Sequence, residues 1–278
     1  MNSQIRPAFA GASGAAAVAG ADIGAGGFAS VSMWRIFLME SRMECSRLMR
    51  SPAFAVPVVL FPIMFYALFG LVLGRHGPAA DPVAARHVLT MYIVFGCVAP
   101  GLFGIGVTVA LDRDRGLLEL KRALPMPPGM YLAAKLVTAM LFAMVICVLL
   151  MLLGATVGKV VLELAQWVGL LILSVLGVIP FCGLGLMVGA AVKGQAAPAV
   201  LNLIYVPMSF LSGLLLPLSV LPHTLAQLAP IWPAYHLAQL TPFALGEGAA
   251  GSWIHVLSLV GMSAVFFVFA RRGLRKVR

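Results

Sequence analysis

Six long stretches of this chain contain no Asp, Glu, Lys or Arg, and they constrain its fold more than any other feature. Each holds 17 to 29 residues, and a helix needs roughly 20 apolar residues to cross a bilayer core. The stretches are Ala53–Gly74, Val88–Leu111, Leu136–Val157, Leu164–Val192, Ala196–Leu221 and Ile254–Ala270. The sequence therefore predicts an all-α membrane protein with six transmembrane helices, the fourth of which can tilt or break at Pro180.

The composition supports a membrane location. Only 10% of the 278 residues are charged, whereas a soluble domain carries about 25%, so too little polar surface exists to cover a water-facing globule. That shortage excludes soluble enzymes, disulfide scaffolds and disordered proteins, and it argues against a nucleic-acid partner despite a net charge of +10. The four Cys have no CxxC spacing and are typical of apolar packing residues.

The 19 basic residues predict the orientation. Sixteen of them fall in the N-terminal segment, the second and fourth connections and the C-terminus, and the other connections hold only Arg75, Arg86 and Lys159. Because basic residues accumulate on the cytoplasmic side, both termini are expected in the cytoplasm, in a multi-pass protein of the inner (plasma) membrane.

The N-terminal segment differs from the rest of the chain. Residues 1–30 contain ten Ala and six Gly with one Arg, and they lack the compact apolar block of a signal peptide. We expect residues 1–32 to form a disordered Gly/Ala-rich tail and residues 33–278 to form the transmembrane domain.

The predicted spans carry no acid and no base, so no proton relay, catalytic site or metal site can be assembled within them. The chain also has no P-loop. We therefore expect it to be no enzyme and to bind no cofactor itself, so any energy must come from a partner. The glycine pairs Gly70/Gly74 and Gly185/Gly189 indicate points of close approach between helices.

The residues before the first span show helical periodicity. Trp34, Leu38, Ser41, Cys45 and Leu48 form one stripe, flanked by Phe37 and Met49, and Arg35, Glu40, Arg42, Glu44 and Arg47 occupy the remaining surface. The pattern predicts an amphipathic helix lying in the inner interface. A cytosolic extension of the first span is the alternative.

The second connection, Asp112–Pro128, has acids early and bases late, which suits a helix dipole. Glu119 lies at helical pair spacing from Arg115 and from Arg122. A stripe of Leu117, Leu120 and Leu124 precedes Pro125. This short helix can dock a protein partner through its leucine edge, or it can be a solvated connector held by local ion pairs.

The fifth outer connection, Pro222–Trp253, has 32 residues with one acid, Glu247, and no Lys or Arg. It is too apolar for an ordinary aqueous loop. We predict a re-entrant helical hairpin before the last span, with a compact external cap as the alternative.

Five fragments of the chain resemble the permease of ABC-2 type transporters, a family of bacterial exporters. They are SRLMRSP (Ser46–Pro52), FPIMFYALFG (Phe61–Gly70), DRDRGLLELKRALPMPP (Asp112–Pro128), LSGLLLPLSVLP (Leu211–Pro222) and PAYHLAQL (Pro233–Leu240). The resemblance covers roughly residues 33–278. The order of the five fragments on a six-span map makes it specific.

The resemblance implies that Asp112–Leu124 contains a coupling helix that sits in a cleft of a separate ATPase subunit. The implied coupling residues are Asp112, Arg113, Asp114, Arg115, Gly116, Leu117, Glu119, Leu120 and Arg122, with Asp112 and Asp114 standing where glutamate is commoner. The amphipathic helix would be the family's connecting helix, with Trp34, Phe37, Leu38, Arg42, Arg47 and Arg50. Leu225–Leu245 would include the outer re-entrant pieces.

The resemblance also implies an assembly of two permeases, as copies or paralogues, and two ATPase subunits that bind ATP and Mg. We therefore expect a permease subunit that exports a lipophilic, amphipathic or glycan-type substrate from the cytoplasm, in contact with membrane lipid. The alternatives are a passive channel or assembly subunit, and an intramembrane lipid-modifying enzyme, for which Asp112 and Asp114 are the only close acidic pair near a span end.

Overall fold

A computed structural model describes residues 32–73, 81–123, 128–248 and 251–276. These residues are mostly helical and contain no strand. The helices are α1 (Met33–Met49), α2 (Pro52–Phe65, continuing as π-helical Tyr66–Leu73), α3 (Pro82–Asp114), α4 (Leu117–Ala123), α5 (Pro128–Thr156), α6 (Leu164–Gly177), α7 (Ile179–Ala191), α8 (Ala197–Leu211), α9 (His223–Ala226), α10 (Pro233–Gln239), α11 (Thr241–Ala244) and α12 (Ser252–Lys276). Most of the predicted tail and Gly74 lie outside the described residues.

Five helical stretches within the described residues are long and apolar enough to cross a membrane. They are Pro52–Val72, Pro82–Asp114, Gly129–Thr156, Leu164–Ala191 and Ser252–Leu274. The multi-pass, all-α character is therefore confirmed. The predicted fifth span falls on α8, whose 15 residues extend only about 22 Å, so the count of six spans stays a prediction.

The fourth predicted span consists of α6 and α7, which meet at Val178, two residues before the expected bend at Pro180. Between α6 and α7 only Val178 leaves the helical hydrogen-bonding pattern, and its backbone angles stay close to helical values. Pro180 stands in the first turn of α7, where its missing N–H removes no hydrogen bond.

Helix α3 is the central element of the described fold. Helices α2, α5, α7 and α8 pack around it, and α12 packs on the far side of α7. Glycines allow the closest of these approaches: a Cβ atom at Gly185 would come within 2.9 Å of Gly101 O and closer still to Leu102 O. At Gly189 an added Cβ would meet the backbone of Gly106. The small residues thus set the α3–α7 distance.

The segment between α8 and α12 consists of short helices, and each begins at or beside a proline. Helix α10 is mostly buried. Its Leu237 packs against Gly177, near the middle of the continuous α6–α7 stretch. After α11 the chain returns toward the start of α6, where Gln166 Nε2 donates to Leu245 O at 2.7 Å. The membrane depth of this segment stays a prediction.

The buried face of α1 contains Ser41 and Leu48 of the predicted stripe, together with two acids. Glu40 and Glu44 are only 8% and 5% exposed, so placing them on the outer surface was wrong. Trp34 and Leu38 are 64% and 48% exposed. The acids are buried because α1 packs against α5, which supplies the partner charge of Lys135 to Glu44.

Gly185→Ala is expected to lower the midpoint of thermal unfolding of the detergent-solubilised protein. The added methyl group would force α3 and α7 apart, at a cost of about 1–3 kcal/mol. Gly261→Ala on α12 is the matched control, since a Cβ there meets no atom within 4 Å. Equal midpoints for the two variants would contradict the close approach.

Candidate functional site

Helix α4 is a short element that projects between the ends of α3 and α5. Gly116 separates it from α3 and adopts a positive φ of 70° with no atom near its missing Cβ, a conformation that glycine adopts without strain. Arg115 and Glu119 are exposed, and Leu120 is 61% exposed. Leu117 is partly buried.

Among the described side chains, no ion pair joins Arg115 to Glu119, although their spacing favours one. The predictions for the Arg122 side chain and for Leu124 lie outside the described residues. Among the described side chains at this end of the fold, Arg115, just before α4, and Glu119 and Leu120 of α4 are exposed.

Three of the predicted coupling residues, Asp112, Arg113 and Asp114, instead bind groups within this chain. The Arg113 guanidinium donates to Ala190 O at 2.5 Å and to Val192 O at 2.8 Å, at the carboxyl end of α7. Asp114 accepts from the backbone N–H of Gly194 at 2.6 Å. These bonds satisfy carbonyls that a helix end leaves without partners. They join the end of α3 to the connection between α7 and α8.

Four ionised side chains from three helices meet where α1, α3 and α5 pack together. We call Glu44, Arg47, Asp112 and Lys135 the four-charge cluster. The Lys135 ammonium donates to Glu44 Oε1 and lies 3.3 Å from Asp112 Oδ2. Arg47 Nη2 lies 2.8 Å from Asp112 Oδ1. The side chains of Glu44, Asp112 and Lys135 are at most 5% exposed, and that of Arg47 is 38% exposed.

Two hydroxyl groups complete the cluster. Tyr131 OH donates to Asp112 Oδ2 at 2.6 Å, and Lys135 Nζ donates to Thr108 Oγ1 at 2.9 Å. Two acids and two bases leave no net charge in the buried region, which is the condition under which ion pairs are tolerated away from water. The interaction with Asp112 raises the pKa of Arg47 above its ordinary value.

Sequence reasoning missed most of this cluster. Lys135 was counted as a loop base because the third span was drawn from Leu136, but α5 begins at Pro128 and places Lys135 inside a continuous helix. Asp112 likewise lies inside α3. One sequence feature could have indicated the cluster. Glu40 and Glu44 lie at i, i+4 on one face of α1, a spacing that lets both acids contact the same neighbouring helix.

The six predicted connecting-helix residues all lie on or directly after α1, but they have different surroundings. Phe37 is partly buried, with its ring 5.6 Å from that of Trp34. Arg42 and Arg50 are exposed, whereas Arg47 belongs to the four-charge cluster. One end of the helix thus exposes apolar side chains, and the other holds the cluster.

A cavity of about 400 Å³ lies between α2, α3 and α8. Its lining is mainly aromatic and aliphatic, with three polar groups at Ser51, Asn202 and Tyr205. The apolar lining includes Phe54, Pro57, Val58, Phe61, Phe103 and Val107. Such a lining fits a lipophilic group that carries a few hydrogen-bonding atoms.

Lys135→Met is expected to destabilise the protein by about 3–5 kcal/mol, because it leaves an uncompensated buried acid. The double variant Glu44→Gln plus Lys135→Met restores neutrality and should recover most of that loss. Thermal or chemical unfolding of the four members of this double-mutant cycle measures the coupling between the two sites. Additive losses would show that the two side chains do not interact.

Comparison with known proteins agrees with these observations. The family model for the ABC-2 type transporter matches residues 36–241, a range that contains most of α1, all of α4 and the four-charge cluster. The chain is 25% identical over 239 residues to YvfS of Bacillus subtilis (strain 168), whose name describes it as a candidate transport permease. That match covers 85% of this chain and 96% of YvfS. The chain therefore belongs to the ABC-2 type transporter family, as its sequence motifs predict.

Proposed function

We propose that this chain is the membrane permease of an ABC exporter and that α4 docks into a separate ATPase subunit. The observation that carries the proposal is the combination of an exposed α4 with firmly held ends. Arg115, Glu119 and Leu120 are exposed. Asp112 binds α1 and α5, Arg113 binds the end of α7, and Asp114 binds the α7–α8 connection. A partner that pushes on α4 would therefore move α3, α5 and the α7–α8 connection together.

This arrangement supports different roles within the predicted coupling set. The exposed members Arg115, Gly116, Glu119 and Leu120 form the docking surface in our proposal. The buried or internally bonded members hold α4 in position. ATP and Mg would be bound by the partner, since this chain carries no P-loop.

We further propose that the substrate is lipophilic or amphipathic. The cavity between α2, α3 and α8 supports this, because its aromatic walls would bind an acyl or ring system, and Asn202 and Ser51 would meet a polar end. Movement out of the cytoplasm, through two permeases placed side by side, is the direction that we propose from the exporter resemblance. A lipid-linked glycan also satisfies these conditions.

We also propose the orientation that the basic residues indicate. If α8 and residues 212–221 together cross the inner (plasma) membrane as a sixth span, both termini lie on its cytoplasmic side. The burial of α10 beside Gly177 supports a re-entrant segment that fills the outer half of the bundle next to the short α8. The positive-inside distribution supports the same orientation.

Reversing the charges on α4 is expected to abolish association with the ATPase. The double variant Arg115→Glu plus Glu119→Lys keeps the net charge but opposes any complementary pattern on the partner. Co-purification of the ATPase subunit with tagged permease measures the effect, and we expect a loss of at least tenfold. Glu247→Lys, an exposed charge on the opposite side of our topology, is the control. Unchanged association in the double variant would refute docking through α4.

Filling the cavity is expected to reduce transport while leaving association with the ATPase intact. Ala53→Trp places an indole on the cavity lining, whereas Val56→Trp places the same group elsewhere on α2, at a site that is 53% exposed. Uptake of a fluorescent phospholipid analogue into inverted vesicles that contain the transporter measures the difference. We expect at least a fivefold loss for Ala53→Trp alone, and equal rates in the two variants would exclude this cavity from the substrate path.

A further inference from the structure

The four-charge cluster brings together both ends of the segment that contains α4. Asp112 lies five residues before the first residue of α4, and Tyr131 and Lys135 lie in the first part of α5. Tyr131 and Lys135 both contact Asp112, at 2.6 Å and 3.3 Å. The end of α3 and the first part of α5, which flank α4 in the chain, are thus linked directly.

The same cluster attaches α1 to α3 and α5. Glu44 binds Lys135 of α5, and Arg47 binds Asp112 of α3. One turn beyond Arg47, the chain passes through Ser51 and Pro52 into α2, and α2 forms one wall of the cavity. A continuous physical path therefore runs from α4, through the four charges, to α1 and to the cavity wall.

Stability alone does not explain why this joint is ionic. Buried ion pairs lose hydration, and well-packed apolar side chains in the same space are often as stable or more stable. Apolar contacts, however, tolerate sliding, whereas charge-assisted hydrogen bonds hold particular atoms at fixed distances and directions. An ionic joint beside α4 fixes the positions of three helices relative to one another.

We propose that Glu44, Arg47, Asp112 and Lys135 are positioning residues that convert movement of α4 into movement of α1 and α2. This inference rests on the proposed function, because it takes α4 as the element that the ATPase moves. The four side chains contact no substrate and no nucleotide in this scheme. Without their charges the ATPase still binds and hydrolyses ATP, but the cavity wall no longer responds.

The test uses the transporter purified with its ATPase subunit and placed in lipid nanodiscs. A reporter cysteine at Ala53, on the cavity lining, is introduced together with Cys45→Ser. The other cysteines of the chain, Cys97, Cys147 and Cys182, are buried. The rate of maleimide modification is measured with and without ATP, together with ATPase content, ATP hydrolysis and thermal unfolding.

The decisive variant combines Glu44→Gln, Arg47→Gln, Asp112→Asn and Lys135→Met, which removes both ion pairs of the cluster and keeps the buried region neutral. We expect a thermal midpoint and ATPase content close to those of the unmodified cluster. The ATP-dependent change in modification rate, several-fold in the parent, should fall below 1.5-fold. Lys135→Arg, which keeps the positive charge, should retain at least half of the response.

Leu150→Ala is the control for destabilisation, since Leu150 is a fully buried residue of the same helix α5 and lies far along it from Lys135. It should lower the thermal midpoint and keep the ATP response. A normal ATP response in the neutral quadruple variant would overturn the inference, because the cluster would then serve stability only. Failure of the parent chain to bind any ABC ATPase would instead refute the proposed function, so the two failures are distinguishable.

Discussion

The arrangement of this molecule at its α4 end depends on one interaction, the pairing of Lys135 with Glu44 and Asp112 in a region that water barely reaches. Each of these charges would be costly alone, so each is acceptable only while the others are in place. Because they come from α5, α1 and α3, the three helices must meet at this point. The position of α4 follows, since α3 and α5 are its two neighbours in the chain.

A second constraint fixes the interior of the bundle. The backbones of α3 and α7 approach so closely at Gly185 and Gly189 that no side chain fits between them. Without a hydrophobic drive between helices in lipid, such close packing is a principal source of association. Helices α3 and α7 therefore pack as a rigid pair, and Arg113 and Asp114 bond the end of α3 to the α7–α8 connection. In our proposal, movement of α4 is transmitted to this pair.

The sequence predicted the features that depend on local patterns. Apolar stretches gave the helical, multi-pass character, which the structure confirms, and the motifs gave the family. Prolines begin the short helices before α12, through a backbone preference that acts locally. Placing Asp112 and Asp114 in the same short helix as Leu117 and Leu120 was wrong. Both acids belong to α3, and Gly116 with its positive φ separates α3 from α4.

The contacts that join distant residues could not be predicted in this way. Glu44 and Lys135 are 91 positions apart, and nothing in either neighbourhood identifies the other as a partner. Glu40 and Glu44 were placed on the polar surface of α1 because an interfacial helix turns its apolar stripe to the membrane and its charges to water. Tertiary pairing reversed that choice for Glu40 and Glu44, which are buried while Trp34 is exposed.

In our proposal, α4 lies on the cytoplasmic side of the membrane and contacts an ATPase. The most direct measurement places a photo-crosslinking amino acid at Leu120 in living cells and, in a second strain, at Val220, which is 68% exposed in the connection after α8. The account predicts that Leu120 forms an adduct with an ABC ATPase subunit and that Val220 does not. An ATPase adduct from Val220, or labelling of a cysteine at Leu120 by an impermeant reagent added outside the cell, would contradict it.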